Sequence, residues 1–211
     1  MGKYLLGIDA ANTVIKTVLF DRDGNEIAMA AEEGHSHVPM PGHVERGLGE
    51  LWSHAKVVIR ACIERAGIDA SEIAAIGCAG HGNGLYTLDR GGEPLVGIQS
   101  LDTRAAGLVE EWQAAGVGER TYPIAGQKPW PSQTPTLLAW LKRHRPEQFA
   151  RIGTVFLCKD FVVNRLTGAR VSDVSDMSGA GLLDVAGRRY DAGLMKAYGL
   201  GDDMALLPDL A

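Results

Sequence analysis

The sequence predicts an α/β domain in which a mixed sheet is flanked by helices. Two apolar strands follow each other closely at the start of the chain, a long amphipathic helix comes next, and a short apolar run follows that helix. A tight turn joins antiparallel strands, whereas a helix between two strands is the connection that a parallel pair requires. We therefore expect one sheet that contains both kinds of pairing.

The first predicted elements are strands at residues 4–9 and 13–20, which form a hairpin, and a third strand over residues 26–31. A turn of aspartates, arginine and glycine over residues 21–24 separates the second strand from the third. Apolar residues then recur at helical spacing over residues 48–66, and Gly67 ends that helix.

The short apolar run at residues 73–79 predicts a strand that is buried on both faces, because its apolar residues are continuous rather than alternating. Residues 122–135 hold several prolines and predict irregular structure. Residues 172–182 are small and polar. The remaining predicted elements are a strand at 84–89, a helix at 103–115, a helix around residues 137–141 that ends before Pro146, a strand at 154–157, and helices at 159–166 and 191–198.

Composition restricts the class of protein. The 211 residues are 45% hydrophobic and 22% charged, with a formal net charge of −5, which argues against nucleic acid as the main partner. No apolar run reaches the length of a membrane span, and the first residues lead into a strand rather than a secretory leader. These features predict a cytoplasmic protein without a membrane partner.

The cysteines and histidines show no metal motif in the sequence. Cys62, Cys78 and Cys158 lie far apart and form no CxxC pair, and the apolar surroundings of Cys62 and Cys78 predict buried free thiols. His35 and His37 could line one side of an extended segment, but no matching carboxylate or third ligand is evident. We expect these two histidines to lie in a solvated loop.

The opening hairpin carries residue types that suit the terminal phosphates of a nucleotide. The first strand ends in Asp9, a turn of small residues follows, and the second strand carries Lys16. Small side chains let backbone N–H groups approach an anion, and a carboxylate can hold a metal ion or its waters. The same pattern also describes an ordinary hairpin that begins a domain, so the hairpin alone does not distinguish a phosphate site from a structural element.

Five segments in this order resemble the N-terminal domain of the FGGY family of carbohydrate kinases, and the resemblance covers essentially the whole chain. Each segment by itself is weak evidence. They are Gly7-Ile8-Asp9 through Phe20-Asp21, Pro41-Gly42-His43-Val44-Glu45 with Trp52, Ile76-Gly77-Cys78-Ala79-Gly80-His81-Gly82-Asn83-Gly84-Leu85, Asp102-Thr103-Arg104, and Lys159-Asp160-Phe161 with Leu166-Thr167-Gly168 and Ser172-Asp173.

The resemblance implies a ribonuclease-H-like fold of the actin and hexokinase type, in which two domains enclose a cleft. It implies transfer of the γ-phosphoryl group of ATP, with Mg²⁺, to a hydroxyl of a pentulose, pentitol or tetritol. Where the sequence departs from the general family pattern, it resembles the L-xylulose and erythritol branches of the family. The departures are Ala11-Asn12-Thr13 for Gly-Thr-Thr, Lys16 for Arg, Ser100 for Trp and His81 for Gln.

The resemblance also implies roles for individual residues. Asp9 would position Mg²⁺ through water as the catalytic contribution of this chain, and Asn12, Thr13 and Lys16 would contact the phosphates. The substrate-binding candidates are His81, Asn83, Asp102, Arg104 and Gln133, and Arg104 could instead pair with Asp102 and hold its loop. Asp160 and Asp173 are expected to be structural, as a helix cap and a loop tie.

The aspartate that serves as general base in the family lies in a Gly-Gly-x-Asp segment, and residues 1–211 contain no such segment. We therefore expect residues 1–211 to be the sugar-binding N-terminal domain of a longer kinase, with the C-terminal nucleotide-binding domain as its missing partner and no activity alone. A non-catalytic, actin-like sugar-binding module is the alternative. The segment Ile76–Leu85, which resembles the sugar loop of the family, and Asp102-Thr103-Arg104 argue against an Hsp70- or acetate-kinase-like ATPase, and a homodimer is left open.

Overall fold

A four-stranded mixed sheet forms from the first half of the chain, in a computed structural model that describes residues 2–211. Its strand order is β3-β2-β1-β4, with β1, β2 and β3 antiparallel and β4 parallel to β1. The sequence predicts both pairings. The strands of this sheet are β1 Tyr4–Ala10, β2 Val14–Phe20, β3 Glu26–Glu33 and β4 Ile73–Gly80.

A second, antiparallel sheet with the order β6-β5-β7 forms from the middle of the chain. The sequence predicts β5 and β7 but no separate element at β6. Two further pairs have strands of only two residues: β8 and β11 are parallel, and β9 and β10 are antiparallel. These strands are β5 Leu85–Asp89, β6 Pro94–Ile98, β7 Ile152–Phe156, β8 Val171–Ser172, β9 Leu183–Asp184, β10 Arg189–Tyr190 and β11 Asp209–Leu210.

Helices α1 and α6 both pack on the four-stranded sheet. Helix α1 packs on β2 and β3, while α6 packs on β1 and β4. The second sheet lies between two apolar cores, because its residues Tyr86 and Phe156 belong to the same cluster as Leu6, whereas Leu85 belongs to another cluster with Leu137. The helices are α1 Leu48–Ala66, α2 Ala106–Ala114, α3 Val117–Ala125, α4 Thr134–His144, α5 Pro146–Ala150, α6 Cys158–Thr167, α7 Val174–Gly179 and α8 Ala192–Ala197.

Helix α3 overlaps the start of the segment that the sequence predicts to be irregular. It lies between Gly116 and Gly126, which both adopt left-handed backbone conformations. Pro123 lies inside the helix. A proline lacks the N–H that an interior helical position donates, so its presence misleads a prediction from residue type. Pro123 lies in the last turn of α3, where the helix tolerates the missing N–H donor.

Strand β4 is not buried on both faces, so that prediction is wrong. Residues 74–77 and Ala79 are exposed, and Cys78 is half-buried rather than buried. The physical reason is that Gly77 and Ala79 line the same open cavity as Asp9, and that β4, the edge strand among residues 2–211, has a neighbouring strand on one side only. Cys62, by contrast, is buried as predicted, and all three cysteines are unpaired.

Among residues 2–211, none of the helices combines the length and the apolar character that a bilayer span requires.

Candidate functional site

The ends of β1 and β4 bring the predicted phosphate hairpin and the predicted sugar loop together. These strands are parallel, so their carboxyl ends meet at one edge of the sheet. Asp9 pairs with Ala79 in the register of the two strands, and the His81 backbone N–H donates to the Ala10 carbonyl oxygen at 3.3 Å. Asp9 and His81 therefore begin from neighbouring backbone positions.

Asp9 and Lys16 share the open face of the four-stranded sheet. They lie opposite each other in the β1–β2 register, whereas Ile8, Ala10 and Ile15 on the other face are buried. A cavity of about 480 Å³ lies against this face and includes both charged side chains in its wall. One carboxylate beside open, solvated space suits Mg²⁺, which keeps several waters and takes one or two carboxylates from the protein.

The turn of the hairpin contacts the segment that follows β6. The Asn12 side-chain amide donates to Ser100 Oγ at 3.0 Å, and Gln99 Nε2 donates to the Asn12 carbonyl oxygen at 2.8 Å. Asn12 Oδ1 is buried and has no hydrogen-bond partner among the described residues. Thr13 lies exposed beside it. The small Ser100 thus meets the hairpin turn directly.

Arg46 is a residue of this region that the sequence prediction missed. It is 3% exposed, and its Nη1 donates to the Ala11 carbonyl oxygen at 2.7 Å. Its Nη2 has no partner within residues 2–211. Arg46 directly follows the family-like segment Pro41–Glu45, and this neighbourhood was the one sequence feature that could have indicated it. Its buried positive charge lies behind the turn that is predicted to meet phosphate.

His81 is held as a neutral imidazole. Burial lowers the pKa of His81 to about 4, with a hydrogen bond to Gly82 opposing this and the Arg46 charge adding to it. Its Nε2 lies 2.7 Å from the Tyr86 hydroxyl, and burial raises the pKa of Tyr86 well above its ordinary value. A protonated Tyr86 that donates to Nε2 leaves the proton of His81 on Nδ1, which faces the Gly82 carbonyl oxygen at 3.4 Å.

Asn83 and Gln133 carry buried polar atoms without partners among the described residues. These atoms are Asn83 Oδ1 and both side-chain amide atoms of Gln133, which is 0% exposed. Their segments are joined, because the Gly84 N–H donates to the Ser132 carbonyl oxygen and Thr134 Oγ1 donates to that of Gly84. A buried amide without partners is costly, so these atoms suit a ligand rich in hydroxyl groups.

Asp102 and Arg104 form a buried ion pair. Arg104 Nη2 lies 2.8 Å from Asp102 Oδ2 and 2.8 Å from Glu45 Oε1, and the Arg104 and Asp102 side chains are 4% and 0% exposed. The Val44 N–H donates to Asp102 Oδ2 at 2.6 Å. The structure thus has the pairing that the sequence left open for Arg104, and it ties the segment before α1 to the one after β6. The predicted substrate contacts of both residues stay predictions.

Lys159 stands among three carboxylates close to the end of β4. Its Nζ lies 2.5 Å from Asp160, 2.7 Å from Asp173 and 3.3 Å from Asp176. Burial opposes the charge of Lys159, but the carboxylates raise its pKa overall. Burial raises the pKa of Asp160 and of Asp176.

Asp160 makes the helix-cap contact predicted for it, whereas Asp173, predicted to tie a loop, caps helix α7. Asp160 accepts the Leu157 N–H at 3.0 Å at the start of α6, and Asp173 accepts the Asp176 N–H at 2.9 Å at the start of α7. The Lys159 ammonium joins these two helix starts to each other.

Comparison with known proteins gives a consistent result. The model of the FGGY family of carbohydrate kinases, N-terminal domain, matches residues 4–211. The chain is 35% identical over 209 residues to an L-xylulose/3-keto-L-gulonate kinase of Escherichia coli (strain K12), covering 99% of this chain and 42% of that protein. It is 36% identical over 206 residues to a probable L-xylulose kinase of Pasteurella multocida (strain Pm70), covering 97% of this chain and 43% of that protein.

The fold has close counterparts among solved structures. A xyloylose kinase from Brucella ovis superimposes with a TM-score of 0.91 at 31% sequence identity, covering 99% of this chain and 42% of that one. The chain therefore spans less than half the length of the relatives it matches. The architecture is the ribonuclease-H-like fold of actin and hexokinase that the sequence predicts.

Proposed function

Since the chain belongs to the FGGY family of carbohydrate kinases, we propose that it is the sugar-binding part of an ATP-dependent kinase for a pentulose, pentitol or tetritol. The relatives named L-xylulose kinases support the sugar class. The whole enzyme includes the nucleotide-binding domain that is expected to follow residues 1–211 in the longer protein.

One observation carries this proposal. The hairpin with Asp9 and Lys16 and the polar loop with His81 and Asn83 leave the same edge of one sheet, joined by the hydrogen bond from the His81 N–H to the Ala10 carbonyl oxygen. Phosphoryl transfer depends mainly on positioning and charge stabilisation, so a kinase needs its phosphate and hydroxyl sites side by side. An ordinary structural hairpin needs no polar loop at this position.

The phosphate side of the site consists of Asp9, Asn12, Thr13 and Lys16. ATP with Mg²⁺ supplies the transferable phosphoryl group and the charge that offsets its negative oxygens. Asp9 holds the waters of the metal ion, and the turn residues with Lys16 contact phosphate oxygens. Lys16 offers a point charge here, which lacks the bidentate geometry of arginine.

The sugar side of the site consists of His81, Asn83 and Gln133, with Asp102 and Arg104 at its margin. The buried atoms of Asn83 and Gln133 that lack partners are the donors and acceptors available to hydroxyl groups. The His81 ring is neutral and already bonded to Tyr86. It therefore binds a neutral polyol without adding charge.

The test uses the full-length protein and a panel of pentuloses, pentitols and tetritols. Thermal shifts identify the sugars that bind, and a coupled assay of ADP release then identifies those that are phosphorylated. Asp9→Asn should lower kcat by at least about 100-fold, because it removes a charge that positions the reacting phosphates. The matched control is Asp23→Asn, an exposed aspartate in the β2–β3 turn that should leave kcat unchanged.

The binding and activity measurements distinguish a kinase from a non-catalytic sugar-binding module. Sugar binding without ADP release from the full-length protein would contradict the kinase assignment and favour a non-catalytic sugar-binding module. Equal activities of Asp9→Asn and Asp23→Asn would contradict the role of the hairpin. Residues 1–211 expressed alone should release no ADP, because they contain no Gly-Gly-x-Asp segment.

A further inference from the structure

Three histidines and a glutamate meet on the surface, at the loop before α1 and the first turns of that helix. His35 and His37 lie in an exposed loop, as the sequence predicts, but the structure also brings a carboxylate and a third imidazole to them, which the sequence did not indicate. Glu50 Oε1 lies 2.7 Å from His35 Nδ1, and Glu50 Oε2 lies 3.5 Å from His37 Nε2. The carboxylate therefore contacts both loop histidines.

His54 adds the third imidazole. It follows Glu50 by four positions in α1, so both side chains lie on one face of the helix. The His35 and His54 rings meet edge to face with centroids 5.5 Å apart. One ligand atom each of His35, Glu50 and His54 lies within 4.8 Å of the others.

The Nδ1 atom of His54 gives an independent indication of a ligand. It is buried and has no hydrogen-bond partner among the described residues. A buried polar atom without a partner costs free energy, which a bound ligand would recover. His54 is also one of the three residues whose ligand atoms lie together in this cluster.

We propose that His35, Glu50 and His54, with His37 as a fourth ligand, bind one divalent transition-metal ion of the Zn²⁺ class. Imidazole nitrogens with one carboxylate suit zinc and its neighbours, whereas Mg²⁺ and Ca²⁺ prefer oxygen ligands throughout. None of these four side chains belongs to the proposed kinase site, and the proposal does not depend on kinase activity.

The geometry needs only side-chain movement to accept the ion. Zinc bonds of about 2.0–2.2 Å place tetrahedral ligands roughly 3.4 Å apart. The ion takes the place of the proton that the His35–Glu50 hydrogen bond shares at 2.7 Å, so those two atoms move slightly apart. The His35 and His37 side chains are 65% and 64% exposed and are free to close around it.

Metal binding would tie the loop of His35 to α1, next to the segment that contacts Asp102 and Arg104. The same loop continues to Val44 and Glu45, which hold Asp102 and Arg104 beside the candidate sugar site. A metal ion at the start of the loop would therefore restrict the segment that positions this ion pair.

The experiment titrates Zn²⁺ into metal-depleted, purified protein by calorimetry and records the visible spectrum with Co²⁺. We expect one Zn²⁺ per chain and the intense absorption of four-coordinate Co²⁺. His35→Asn, Glu50→Gln and His54→Asn should each weaken Zn²⁺ binding by at least about tenfold, since even outer-shell changes cost 10- to 100-fold. His144→Asn, an exposed histidine outside the cluster, is the matched control and should bind Zn²⁺ like the wild type.

The proposal fails if the wild type binds no Zn²⁺, or if the cluster variants bind it as tightly as the His144→Asn protein. Thermal melts without metal show whether each variant is folded. His35 is an exposed loop residue, so His35→Asn keeps the test decisive even if a substitution in α1 prevents folding.

Discussion

Replacing Arg104 by methionine should destabilise the protein far more than removing an exposed arginine. Arg104 binds Asp102 and Glu45 at once, and its guanidinium also lies 5.4 Å from the centre of the Trp140 ring. The Arg104 and Asp102 side chains are 4% and 0% exposed. The substitution keeps an apolar stem of similar length but leaves the Asp102 carboxylate without its cation.

The size of the effect follows from the contacts that remain. Breaking a buried ion pair by removing one partner costs about 3–5 kcal/mol, because the other charge stays buried. Asp102 would still accept the backbone N–H groups of Val44 and residue 104. These two bonds place the expected loss at the lower end, about 3 kcal/mol.

Urea unfolding of the wild type and the variant measures this loss. With an m-value of about 2–3 kcal/mol/M, the midpoint should fall by about 1–1.5 M. The control is Arg143→Met, whose partner Glu111 is 60% exposed and whose own side chain is 48% exposed. That pair should contribute less than about 1 kcal/mol. Equal midpoints for the two variants would show that the Asp102–Arg104 pair does not stabilise the fold.

Three further substitutions test other parts of the structure by the same unfolding measurement. The wild type should lose stability as pH falls from 6.5 to about 4, since the unfolded chain takes up a proton that folded His81 excludes, and His81→Gln should lose less over that interval. Lys159→Met should cost about 3–5 kcal/mol near neutral pH, and the deficit should shrink in acid as the neighbouring carboxylates become protonated. Gly84→Ala should destabilise the protein more than Gly92→Ala, because both have positive φ but only a Cβ at Gly84 would meet the Ile98 carbonyl oxygen, at 2.6 Å. A flat pH difference for His81→Gln, a small or pH-independent Lys159→Met deficit, or equal costs at the two glycines would contradict the respective argument.

The local elements were largely predictable because each depends on neighbours in the sequence. The helix predicted at residues 48–66 occurs with those bounds, since apolar spacing and Gly67 are local signals. The opening hairpin likewise occurs with Asp9 opposite Lys16. Helix α3 was missed because Pro123 is a local signal against a helix, and packing of the surrounding segment outweighs it.

Exposure depends on which strands become neighbours, and local sequence does not carry that information. The apolar run of β4 resembles a central strand, but it occupies an edge among residues 2–211, so Ile76 is 47% exposed. The candidate site behaves similarly. Sequence motifs indicate its residues, whereas the tertiary structure alone shows that the Gln133 amide lacks a partner and that Asn12 is hydrogen-bonded to Ser100.

The sequence by itself determined the family, the α/β class and the residue types at the phosphate hairpin and polar loop, because these are carried by short, ordered motifs. Only the tertiary structure decided that Arg104 pairs with Asp102, that Lys159 is shared by three carboxylates, and that Glu50 reaches His35. The contacts of Lys159 with Asp173, of Glu50 with His35 and of Arg104 with Glu45 join segments whose approach is set by packing of the whole core. Charge pairing and hydrogen bonding act over a few ångströms, so no pattern along the chain specifies them in advance.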